Sequence, residues 1–127
     1  MSTLVAQTIS NGSVSTSSAN VIQGSAKAWV NYNGATQAIR GSYNVSSVTY
    51  TSAGVYTINF TNALANANYA VAGMTGFSQG TPNNATSGAV FIAEGYPVTT
   101  TSFRVRVMTA FATLTDNGTT TLMAVGG

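Results

Sequence analysis

The chain has 127 residues and only four cationic and two acidic side chains, with no His and no Cys. That length supports one domain, able to bury roughly two-thirds of the surface its unfolded chain exposes. The missing residue types exclude imidazole bases, thiolate nucleophiles and His- or Cys-built zinc, haem and iron–sulfur sites, and they leave stability independent of disulfides.

Taken in chain order, the segments read almost entirely as strands. Leu occurs only at 4, 64, 114 and 122, and Glu and Lys once each, so the strong helix formers are scarce. Thr, Val, Tyr, Phe and Ile, which suit a pleated surface, are plentiful. A short first strand is expected at 3–9, and the Ser- and Asn-rich stretch 10–25 reads as an extended arm or linker. From residue 26 the apolar positions alternate. Ala26, Ala28, Val30 and Tyr32 share one face, against Lys27, Trp29 and Asn31 on the other. Tyr56, Ile58 and Phe60 form a second such face, and Phe103, Val105, Val107 and Thr109 a third, with Arg104, Arg106 and Met108 opposite. Period-two alternation marks strands with one buried face, the antiparallel pattern. The expected strands are 26–32, 36–40, 43–50, 54–60, 68–74, 89–94, 98–109 and 119–125. Asn33-Gly34, Thr51-Ser52-Ala53-Gly54 and Asn117-Gly118 read as hairpin connections between them. The polar run Gly76–Gly88 reads as a surface loop. The expectation is an all-β chain: an antiparallel β-sandwich or jelly roll over 26–127, with a short N-terminal strand and arm over 1–25.

The two acids are the only pair available for carboxylate chemistry. Glu94 ends an apolar strand and is expected to face solvent. Asp116 opens Asp-Asn-Gly, where an Asp is favoured for bonding its own turn backbone. No catalytic residue, metal or cofactor is expected, and the chain reads as a non-enzyme. Lys27, Arg40, Arg104 and Arg106 give a net charge of +2 without the stripe that phosphate neutralisation needs, so no nucleic acid is expected as a partner. No apolar run approaches the ~20 residues of a membrane span, so no membrane insertion is expected. The start lacks a basic, apolar export signal, which predicts synthesis in the cytoplasm without such export.

Fifty uncharged polar residues (14 Ser, 20 Thr, 12 Asn, 4 Gln) fill the positions that charges usually occupy, and 5% of the chain is charged. About a quarter or more is usual for the surface of a soluble monomer. Flat, uncharged, β-prone surface invites uncontrolled pairing in a free monomer, so a surface covered by self-association or a larger assembly is expected. Contact residues are sought among the aromatic and basic side chains on polar faces or beside turns: Trp29, Tyr50, Phe77 and Tyr96, with Asn83 and Asn84 in the polar loop. The aromatics suit stacking against sugars, or else fill a core or subunit interface. Arg104 and Arg106 either meet an acidic partner or keep an exposed strand soluble.

From residue 24 to about 73 the text Gly24-Ser25-Ala26-Lys27-Ala28-Trp29-Val30-Asn31-Tyr32-Asn33-Gly34 resembles the "K-A-W-V-N-F-N-G" opening of a β module of bacteriophage virion proteins. The likeness continues through Ala38-Ile39-Arg40, Tyr43-Asn44-Val45-Ser46-Ser47-Val48, Gly54-Val55-Tyr56-Thr57-Ile58-Asn59-Phe60 and Ala67-Asn68-Tyr69-Ala70-Val71. The resemblance implies a trimeric module on the virion exterior, with no catalytic residues to carry over. Read as a complete gene product, so small a chain suits a capsid decoration (cement) protein clamping neighbouring capsomers, with the major capsid protein and its own copies as partners. The alternative is a short tail fibre or receptor-binding tip that contacts a host surface glycan or protein.

Overall fold

The alternating runs do become strands. In the computed structural model, which describes residues 2–76, 88–109 and 112–127, ten strands and one helix follow in the order β1 Thr8–Ser10, β2 Ser15–Ser17, α1 Ser18–Gly24, β3 Ala26–Asn33, β4 Ala38–Tyr43, β5 Val45–Ser52, β6 Val55–Phe60, β7 Ala70–Thr75, β8 Ala89–Ile92, β9 Ser102–Met108 and β10 Thr120–Val125. Two antiparallel four-stranded sheets, ordered β4-β3-β10-β7 and β5-β6-β9-β8, pack as a β-sandwich, and β1-β2 form a separate hairpin.

The four central strands supply the core. Ala28, Val30 and Tyr32 from β3 and Leu122 and Ala124 from β10 face Tyr56, Ile58 and Phe60 from β6 and Phe103, Val105 and Val107 from β9, all of them buried. Their rings interlock edge-on: Tyr32 and Tyr56 have centroids 5.0 Å apart across the two sheets, and Phe60 lies 5.7 Å from Tyr69. Such pairs add about 0.5–1.5 kcal/mol each beyond the area they bury.

Two backbone devices set the path. Asn44, at φ 53°, is the single residue between β4 and β5, where the chain leaves one sheet for the other. Its side chain binds both ways, donating from Nδ2 to the carbonyls of Lys27 and Asn62 (3.1 Å each) and accepting from the Asn62 amide (2.8 Å). Asn tolerates the left-handed region and bonds nearby backbone, which suits it to such a corner. Gly54, at φ +68°, turns β5 into β6, and a Cβ there would press on the Val107 carbonyl and the Thr115 amide.

Four expectations change. Residues 10–25 are not an extended linker: Asn11-Gly12 turns β1 into β2, with Gly12 at φ +94° and Asn11 Oδ1 accepting from the amides of Ser13 (3.1 Å) and Val14 (2.9 Å). The Ser17 hydroxyl then accepts from the Asn20 amide and caps α1. The strand expected at 98–109 begins only at Ser102, because Thr99 Oγ1 accepts from the amides of Thr101 and Ser102 and turns the chain there. Asn117-Gly118 is not a hairpin, since the strands on either side of it, β9 and β10, lie in different sheets. The first strand is also shorter than expected, starting at Thr8.

Candidate functional site

The Asp116-Asn117 crossing closes one end of the sandwich. Asp116 does not serve its own turn, as expected, but reaches into the opposite sheet. Its Oδ1 accepts from the Gly54 amide (2.8 Å) and the Tyr56 hydroxyl, and its Oδ2 accepts from the Tyr50 hydroxyl (3.1 Å). Asn117, itself buried, ties the other sheet by donating from Nδ2 to Thr75 Oγ1 (2.8 Å) and accepting from the Gly34 amide (2.9 Å). Burial, and then the Asp116 carboxylate, holds the Tyr56 phenol well above the usual tyrosine range. Tyr50 is shifted the same way by the same two causes. Of the expected contact residues, Tyr50 is half-buried and tied into the fold. Its ring packs on the core and its hydroxyl is spent on Asp116, so it holds the fold. Glu94 is exposed just beyond β8, where the neighbouring Ala93 amide bonds the Arg104 carbonyl.

Arg104 and Tyr96, unrelated in sequence reasoning, meet on the outer face of β5-β6-β9-β8. The Arg104 guanidinium carbon lies 3.7 Å from the Tyr96 ring centroid, and its Nε donates to Thr57 Oγ1 at 2.8 Å. Arg106, two residues along the same face, is exposed and lies across from Phe91 of β8. This face is otherwise polar: Asn59 Nδ2 donates to Ser47 Oγ and Thr49 Oγ1. Phe77, Asn83 and Asn84 lie outside the described residues.

The opposite outer face, on β4-β3-β10-β7, carries an apolar patch beside Lys27, Asn31 and Thr121. Strand register puts Tyr43, Trp29, Met123 and Ala72 in one row across all four strands, and Gly41, Asn31, Thr121 and Met74 in the next. The Trp29 ring lies over Gly41, close enough that a Cβ there would sit 3.5 Å from it. Even so Trp29 stays 43% exposed, Met123 44%, Tyr43 60% and Met74 77%. Trp29, Met74 and Met123, with Asn31 and Ala72, border a groove of about 490 Å³. Of the expected contact residues only Trp29 belongs to this surface. Tyr43, Met74 and Met123 were missed, although the inward Thr120, Leu122 and Ala124 alternate with Met123 in the sequence.

A second uncovered apolar surface lies on the N-terminal arm. Leu4, Val5, Ile9, Val21 and Ile22 line one shallow groove of about 390 Å³, and α1 buries no residue at all. Leu4 and Val5 are 91% and 88% exposed. Scattered exposed apolar residues are ordinary, but contiguous ones mark interaction surfaces. Among the described residues no charged side chain lines either groove.

Comparison with known proteins gives no family model, no curated protein and no solved structure that matches this chain.

Proposed function

We propose that this chain is a non-enzymatic structural protein of the exterior of a bacteriophage particle. In this reading it is a capsid decoration protein that sits on the shell as a homotrimer and clamps neighbouring capsomers. The observation that carries the reading is the pair of uncovered apolar surfaces, the arm and the Trp29 face, on a chain with six charged residues (four basic, two acidic). Both are poor in charge, as interface cores are, and the Trp29 face adds the aromatic and Met side chains enriched there. The resemblance of residues 24–73 to a virion β module supports the particle as the place where they are covered. Its partners in this reading are its own copies and the major capsid protein, with no nucleic acid, membrane or cofactor involved. Both oxygens of Asp116 are engaged by tyrosines and a backbone amide, and Glu94 is exposed on another turn, which supports the non-enzymatic reading.

The exposed Tyr96, stacked under Arg104, favours one alternative: a short tail fibre or receptor-binding tip whose aromatic face holds a host surface glycan. Particles assembled without the chain separate the two. The decoration reading predicts that they release their genome at lower temperature than complete particles while adsorbing to cells normally. Normal heat resistance with lost adsorption overturns it in favour of the fibre.

A further inference from the structure

We infer that the N-terminal arm of one copy packs on the apolar outer face of the β4-β3-β10-β7 sheet of a second copy. The inference deepens the homo-oligomer part of the proposed function and rests on that part alone, not on where a particle carries the chain. The occupant follows from the arm itself. A lone two-stranded hairpin is marginally stable in water, and a helix of seven residues is far below the length that holds by itself. The arm consists of these two elements, three-residue strands β1 and β2 and the seven-residue α1. Within the chain it gains little packing, since α1 has no buried residue and the Lys27 ammonium reaches back only to the Ile22 carbonyl and Ser25 Oγ. It therefore needs an apolar surface elsewhere.

The Trp29 face supplies one in equal number, because every copy carries one arm and one face. Among the described residues no charged side chain lines either groove, so an arm seated on the Trp29–Met74–Met123 patch buries no charge there, and Lys27 on the same face of β3 keeps its bonds to Ile22 and Ser25. Joining an arm to a face is a heterologous contact, and such contacts close into rings when the rotation between copies allows. A trimer is one such ring.

The chain lacks cysteine, so a disulfide placed between arm and face reports their contact without interference. Val5→Cys on a tagged copy and Met123→Cys on an untagged copy, mixed and mildly oxidised, are expected to give a reducible dimer of mixed size. Recovery of only the two unlinked monomers overturns the inference. Light scattering supplies the second measurement. The wild-type mass is expected to be a multiple of 12.9 kDa, and both an arm variant (Leu4→Asp with Ile22→Asp) and a face variant (Met74→Asp with Met123→Asp) fall to a single chain. Mixing these two variants restores a two-chain species, since one keeps its face and the other its arm. Unchanged β circular dichroism shows that the sandwich is folded in each. A monomeric wild type, or an arm variant that keeps the wild-type mass, contradicts arm exchange. Neither result depends on heat resistance of particles, so failure here and failure of the capsid reading remain separate.

Discussion

A single carboxylate decides how one end of the sandwich is held. Asp116 receives two phenols and an amide, while the neighbouring Tyr32 hydroxyl is buried with no hydrogen-bond partner among the described residues. The two tyrosines therefore differ sharply in what their hydroxyls contribute. A hydrogen bond to a charged group contributes about 1.5–3 kcal/mol, whereas deleting a buried hydroxyl that has no partner is near neutral. Tyr56→Phe is expected to cost about 2 kcal/mol in urea unfolding and Tyr32→Phe less than about 0.5 kcal/mol; equal losses contradict the assignment. Buried tyrosines set the alkaline limit of the fold. Tyr69, buried and donating to the carbonyls of Thr99 (2.9 Å) and Ser102 (3.1 Å), is pushed up to about 12, and burial raises Tyr32 and Tyr56 as well. In the unfolded chain phenols lose their protons near pH 10. Above that pH the unfolded state binds fewer protons than the folded one, so stability is full below about pH 10 and falls as pH rises toward 12. The urea midpoint, followed from neutral to strongly alkaline pH, is expected to show this fall, and Tyr69→Phe makes it shallower. A midpoint that stays level through that range contradicts it.

Among the elements, the central strands were legible and the punctuation between them less so. Alternation at Ala28-Val30-Tyr32, Tyr56-Ile58-Phe60 and Phe103-Val105-Val107 names the buried side chains directly, because a strand has two faces and only one can meet the core. Sheet membership is not local. Nothing near Asn117-Gly118 says that β9 and β10 lie in opposite sheets, since that depends on the partners each strand finds. The N-terminal hairpin did carry a signal, the same Asn-Gly pair that marks the β3–β4 turn, and Ser17 had the chemistry of a helix cap; low apolar content around them hid both. The candidate contact surface was legible only at Trp29 and, on the other sheet, at Arg104, Arg106 and Tyr96, because exposed rows across strands appear once register is known. Two connections predict large effects. Gly54→Ala places a Cβ against the Val107 carbonyl at positive φ and is expected to cost about 3 kcal/mol. Asn44→Ala removes three side-chain hydrogen bonds and strains a left-handed corner, for about 2–3 kcal/mol, while Asn44→Gly recovers the backbone share of that loss. Urea unfolding of the three variants checks the ranking, and an Asn44→Gly no better than Asn44→Ala contradicts the corner's strain.

At the scale of the molecule, the sandwich spends its apolar residues in two places. The four central strands bury theirs, and the arm and the Trp29 face leave theirs open, on a chain with a net charge of +2. The interior accounts for a stable domain, and the open surfaces are the ones the proposed assembly covers. On this account the arm is dispensable for folding and needed for assembly. Removing residues 2–16 is therefore expected to leave the thermal midpoint of the sandwich within a few degrees while abolishing attachment to particles, as co-sedimentation reads. The central claim concerns where the protein works, and the most direct test is its position in an electron cryo-microscopy map of the intact particle. Copies arrayed over the head at capsomer junctions, with the Trp29 face and arm in contact, are the predicted result. Copies confined to the tail, or a head whose surface leaves both apolar faces open to solvent, contradict it.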